Sequence, residues 1–165
     1  MNSQTKIITY SALMMALVFV MTFIVRIPLP TGYIHLGDAA VLLAAYILGP
    51  WAGLLAAGLG SAGADYFGGY AAYMVPTFIA KGSMAFIFGY FIKRYPAKNI
   101  LFFAFPAIID MALIYFVAEV IMYGSLVSPL VNVPFSILQG TVGIVIMVIL
   151  YKPLERFKLT EIKSE

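Results

Sequence analysis

Apolar positions run along this chain in long, nearly unbroken blocks, and charges, prolines and glycines interrupt them in place of any regular alternation. Six blocks read as helices, at roughly 6–26, 36–49, 51–67, 72–92, 100–123 and 133–151. The first runs on to Arg26 and Pro28 with no small-residue cleavage signature, so it reads as a retained span. The second is short and meets Gly49-Pro50, where proline offers no amide and disfavours helical geometry in the residue before it. The pattern predicts an all-α integral membrane protein, a single six-helix bundle over residues 1–165.

Composition agrees. Of 165 residues, 63% are apolar or aromatic and 10% charged, with a mean hydropathy of +1.00, whereas soluble chains are about half apolar and a quarter charged. Six spans of about 20 residues nearly exhaust the length, which leaves no room for a soluble catalytic domain. There is no G-x-x-x-x-G-K-[ST] loop, so work against a gradient needs energy from elsewhere. The absence of cysteine excludes disulfides and thiolate chemistry. The net charge of +3 gives no reason to expect nucleic acid, because the cations sit at span ends. Lys6, Lys93, Arg94, Lys98, Lys152, Arg156, Lys158 and Lys163 share one side of a six-span chain, against Arg26 on the other. That bias predicts cytoplasmic termini. The outer connections then fall near 27–35, 67–72 and 124–132.

Span three repeats small residues at Ala52, Ala56, Gly60 and Ala64, with Gly53, Ala57 and Ser61 beside them. Small side chains let helices approach in lipid, so span three is expected to be the most enclosed helix. Ala12 and Ala16 form a smaller pair on span one, which packing within the bundle would explain.

Polar groups inside a membrane are costly and mark either a satisfied pair or a ligand site. Here they gather at one depth. His35 and Asp38 stand at the outer start of span two, and Asp65 and Tyr66 close span three with Tyr70 and Tyr73 beyond. Tyr115, Glu119, Met122 and Tyr123 share a face of span five, while Asn132, Ser136 and Gln139 form a stripe on span six. The convergence predicts an outward-facing pocket for a small polar aromatic ligand. Plainer roles exist for each part. His35 and Asp38 would cap span two, the tyrosines would form an interfacial belt, and Asn132 would cap a helix opening at Pro134. Asp65 lies at the wrong dipole end for capping, which leaves the water interface, a partner side chain or a ligand. Gln139 has no such plain role, and a ligand or interhelix hydrogen bond is expected of it. Lys81 and Asp110 come near the midplane, so either they pair or Lys81 reaches up to the ligand. Asp110 and Glu119 are nine residues apart, about 180° around a helix, and of the two Glu119 is placed at the ligand.

The small-residue pair Ala12-x-x-x-Ala16, the stretch Ile34-His35-Leu36-Gly37-Asp38-Ala39, the Leu48-Gly49-Pro50 break, the small-residue span ending Gly63-Ala64-Asp65, and Ile79-Ala80-Lys81-Gly82 occur in order. Together they resemble the substrate-binding S component of an energy-coupling factor (ECF) vitamin transporter. The resemblance covers most of the chain and is weakest in span five. It implies a multi-pass subunit of a prokaryotic cell membrane that captures a vitamin outside, docks on a scaffold membrane subunit with two ATPase subunits, and topples to release its cargo. It also implies that Ala12 and Ala16 lie on the docking surface. Within the family the Ile-His-Leu-Gly-Asp and Lys-Gly stretches are most similar to the hydroxymethylpyrimidine or vitamin B6 branch, with riboflavin as the alternative. A small hydroxylated pyridine or pyrimidine suits an aromatic face plus donors and acceptors such as His35, Asp38, Glu119, Asn132 and Gln139.

Other classes fit less well. A stand-alone secondary transporter or channel would be expected to carry an internal repeat between residues 1–82 and 83–165, and none is evident. An intramembrane enzyme built on His35 with Asp38 or Asp65 would lack a paired nucleophile or a metal-ligand cluster. No catalytic residue, cofactor or metal is expected. A structural subunit would have no use for a costly polar ring.

Overall fold

The computed structural model of the protein describes residues 3–24, 26–29, 32–96 and 99–156. Lys98, Lys158 and Lys163, three of the cations that orient the chain, lie outside the described residues. Among the described residues six α-helices form a bundle: α1 (Ser3–Ile24), α2 (Gly37–Leu48), α3 (Pro50–Phe67), α4 (Met74–Arg94), α5 (Leu101–Tyr123) and α6 (Val127–Arg156). Four are long and apolar enough to cross a membrane, over Gln4–Ile24, Ala71–Arg94, Leu101–Tyr123 and Val127–Tyr151. With 12 residues, α2 is about 18 Å long against a hydrocarbon core of about 30 Å.

Three connections differ from the sequence reading. The outer connection expected near 27–35 is an antiparallel hairpin of β1 (Arg26–Leu29) and β2 (Gly32–His35), with Arg26 opposite His35 and Pro28 opposite Tyr33. Four-residue strands are too short to show alternation against an apolar background. Chain direction places this hairpin beside the end of α3, the start of α4, the end of α5 and the start of α6. The second difference is at α6, which opens at Val127, ahead of the expected residue 133. Asn132 is therefore inside the helix and does not cap it. Pro134 also stands within α6, where its missing amide leaves one carbonyl of the preceding turn without its helical bond. The third is a short 3-10 turn at Ala71–Tyr73 that leads into α4.

The most enclosed helix is α2, not α3. It packs against α1, α3, α4 and α6, and eleven of its 12 residues are buried. The small residues of α3 do face inward, with Ala56, Ala57, Gly60, Ser61 and Ala64 buried. Its opposite face carries Trp51, Leu55, Leu59 and Tyr66 in exposed positions, a surface suited to lipid. Gly49 adopts φ +82° between α2 and α3, a conformation that L side chains rarely adopt, and Pro50 opens α3 at a position where its missing amide costs nothing. At Gly143 a Cβ would come within 2.8 Å of the Asp38 Cβ. The bare backbone there lets α6 lie directly on the start of α2.

Candidate functional site

A cavity of about 60 Å³ opens among the hairpin, the end of α3, the start of α4, the end of α5 and the first half of α6. Its construction begins with α1. Arg26 leaves that helix as the first residue of β1, and its guanidinium donates to the carbonyls of Ala64 (2.7 Å) and Gly68 (3.3 Å) at the C-terminus of α3. It also donates to Thr22 O (3.3 Å) and lies over the rings of Phe23 and Tyr33, 4.5 and 4.7 Å from their centroids. Carbonyls at a helix end attract cations. The same guanidinium offsets the unfavourable position of Asp65 at that end.

The hairpin is thereby fixed over α3, and Tyr33 donates its hydroxyl to Asp65 Oδ1. Burial, reinforced by the Asp65 carboxylate, pushes the Tyr33 hydroxyl well above its ordinary range, so it stays protonated and remains a donor. Asp65 is 3% exposed. Its Oδ2 has no hydrogen bond of acceptable geometry among the described residues, although the Thr77 hydroxyl stands nearby.

His35 follows two residues along β2. Its Nδ1 accepts the amide of Gly37 (2.9 Å), and a neutral imidazole with that nitrogen accepting carries its proton on Nε2. Burial first, and the charge of Lys81 second, push the imidazole down to about 3, so it is neutral at physiological pH. His35 therefore presents one fixed donor.

The far wall is built by α5 and α6. Glu119 accepts from the Tyr73 hydroxyl at Oε1 (3.2 Å) and from Asn132 Nδ2 at Oε2 (2.9 Å). Tyr73 also contacts the Tyr123 hydroxyl at 2.8 Å, and Tyr115 donates to Thr77 Oγ1 at 3.1 Å. Three helices and the 3-10 turn are thus joined by side chains before any ligand arrives, as in a preformed site.

Beneath the cavity lies a buried ion pair. Lys81 and Asp38 are both fully buried and bonded to each other. Gln139 donates to Asp38 Oδ2 (2.9 Å) while its Oε1 accepts the His35 amide (3.0 Å), which ties α6 to α2 and β2 through one side chain. Of the two roles open for Lys81 in the sequence, pairing with Asp110 does not occur. Asp110 accepts from Ser83 Oγ at 2.6 Å on the other side of α4, and because α2 occupies the centre of the bundle, Lys81 faces Asp38. Capping of α2 by Asp38 is overturned as well. The Asp38 carboxylate is spent on Lys81 and Gln139, and the amide of Gly37 at the start of α2 is taken by His35 Nδ1 instead.

The sequence-nominated residues therefore separate by depth. His35, Asp65 and Tyr73 line the cavity on one side, and Tyr115, Glu119, Asn132, Ser136 and Gln139 line it on the other. Asp38 and Lys81 lie below it, and Tyr66 is exposed on the outside of α3. Ala12 and Ala16 are exposed on α1. Tyr33, Thr77 and Phe135 also line the wall and went unread in the sequence. Thr77 had a signal, because Tyr73, Thr77 and Lys81 recur every four residues. Tyr33 had one only if β2 was recognised, since alternate strand residues share a face.

Comparison with known proteins gives three findings. A family model described as ECF-type riboflavin transporter, S component, matches residues 2–156. A solved structure of the S component of a bacterial ECF transporter superposes with a TM-score of 0.72 at 24% identity, covering 93% of this chain and 98% of that one, and so shares the fold. An uncharacterized protein of Pyrococcus woesei is 42% identical over 78 residues, 46% of this chain and 52% of its own. The chain spans about half the length of that curated relative. The family is one of transporter subunits embedded in the membrane, not of enzymes. By the extent of the family match, this chain belongs to the ECF-type riboflavin transporter S component family.

Proposed function

We propose that the chain captures a small hydroxylated heteroaromatic vitamin or precursor, of the pyridoxine or hydroxymethylpyrimidine type, and hands it to an ECF scaffold subunit driven by two ATPase subunits. The observation that carries the choice of ligand is the size and lining of the cavity. About 60 Å³ is small against the ~300 Å³ at the lower end of sites for drug-sized ligands, and suits one ring better than three. Tyr33, Tyr73, Tyr115 and Phe135 supply aromatic surface, and His35, Asp65, Glu119 and Asn132 supply edge contacts.

In this reading all six helices act as spans in a prokaryotic cell membrane, with α2 completed by the chain around it. The termini are cytoplasmic and the hairpin faces outside, on the strength of the cation bias. The exposed Ala12 and Ala16 form the face that meets the scaffold. Riboflavin is the second reading, favoured by the description of the matching family. It requires the hairpin to move outward to admit a three-ring ligand.

Mass spectrometry of small molecules released from the detergent-purified chain, followed by titration of what is found, tests both. A single-ring vitamin at near one per chain supports the first reading, and riboflavin the second. An empty chain that ignores a vitamin panel refutes capture. Sustained uptake by the chain alone in liposomes would refute dependence on an ATPase module.

A further inference from the structure

Among the described residues the two cations nearest the cavity, Lys81 and Arg26, are committed elsewhere. Lys81 is fully buried beneath it, its ammonium bonded to Asp38 and set against Met111 Sδ at 2.9 Å. Arg26 spends its guanidinium on the end of α3. Among the described residues that line the cavity, none is lysine or arginine, while two are carboxylates, Asp65 and Glu119. One carboxylate oxygen, Asp65 Oδ2, is buried without a hydrogen bond of acceptable geometry, which leaves an acceptor for a ligand donor such as a hydroxymethyl group or a protonated ring nitrogen.

We propose that the cavity selects the free alcohol form of its ligand and rejects the corresponding phosphate ester, by charge. A phosphate ester brings nearly two negative charges into a partly desolvated site that offers two carboxylates and no free cation. Repulsion between like charges a few Å apart in such a setting is worth more than a hundredfold in affinity. Had Lys81 stood unpaired, its long stem could have served the phosphate. Asp38 removes it from contention.

The inference rests on the cavity being the capture site, so the test uses matched pairs on the purified full-length chain: pyridoxine and its 5′-phosphate, hydroxymethylpyrimidine and its phosphate, riboflavin and its 5′-phosphate. The expected result is that one alcohol binds and its ester binds at least about a hundredfold more weakly. The neutral acetate ester of the same alcohol should bind better than the phosphate. In Glu119→Gln, and separately in Asp65→Asn, the gap between alcohol and phosphate should narrow about tenfold, with folding checked by gel filtration and thermal midpoint. A phosphate that binds within about threefold of its alcohol overturns the proposal. So does a phosphate excluded no more than the acetate, with a gap unchanged in both variants, because exclusion would then be steric. If no alcohol binds, the capture reading itself falls and this inference with it.

Discussion

The ion pair under the cavity gives the sharpest test of the fold. Lys81 and Asp38 are each fully buried, so deleting one leaves the other as an uncompensated charge inside the bundle, at a cost of about 3–5 kcal/mol. For a chain of this length each kcal/mol moves the thermal midpoint by about 2–4 °C. Lys81→Met or Asp38→Asn alone should therefore lower the midpoint in mild detergent by about 6–20 °C. The double variant should recover most of that loss, since a neutral pair of similar volume carries no desolvation penalty. Asp110→Asn should lower the midpoint by no more than about 4 °C, because it weakens one half-buried hydrogen bond from Ser83, worth about 1 kcal/mol. The double-mutant cycle isolates the pair. Additive losses at Lys81 and Asp38, with coupling below about 0.5 kcal/mol, would refute the pairing. Coupling of Lys81 to Asp110 would restore one of the two arrangements the sequence left open.

Four further outcomes follow from the geometry. Glu119→Ala and Asn132→Ala each remove one half of a buried hydrogen-bonded pair and should weaken ligand binding by about 10–100-fold, read by calorimetric titration, while co-purification with the scaffold is unchanged. Arg26→Met strips the α3 end of its guanidinium and should raise the ligand off-rate about tenfold, with faster amide exchange in residues 26–35; unchanged exchange would remove the hairpin from the binding step. Ala12→Trp or Ala16→Trp should abolish scaffold association and uptake but preserve ligand affinity, and normal uptake would dismiss that face as the docking surface. The folded His35 imidazole titrates near pH 3 against about 6.5 unfolded, so the unfolded state binds the extra proton between those values. Its contribution is present in full above pH ~6.5 and is lost as pH falls toward 3, at up to about 1.4 kcal/mol per pH unit; the difference in midpoint between wild type and His35→Gln should follow that slope.

The helical architecture was legible because a bilayer imposes a coarse code: long apolar blocks, charged ends and small residues where helices touch. The blocks near 72–92 and 100–123 and the helices α4 and α5 agree to within about two residues. The code reports which residues dislike lipid, and it succeeds in gathering Asp65, Glu119, Asn132 and Gln139 at one depth. It is silent on partners, because pairing depends on which helix occupies the centre. Pairing of Lys81 with Asp110, one of the two roles open for that lysine, needed the two side chains to point at each other, but α4 and α5 meet through Ser83 and Asp110. The bundle instead seats α2 between α4 and α6, and Asp38, nominated for a cap or a ligand, neutralises Lys81. The small stripe on α3 misled for a similar reason. Small residues mark where a helix is approached on one face, and α3 is approached on one face only, whereas α2 is enclosed without needing a glycine stripe. The hairpin was hidden by length. Four-residue strands carry no readable period, yet they deliver Tyr33 and His35 to the wall and Arg26 to the end of α3. The depth of the polar ring was thus written in composition, while its division into a neutralised floor and an acidic wall depended on the order in which the helices pack.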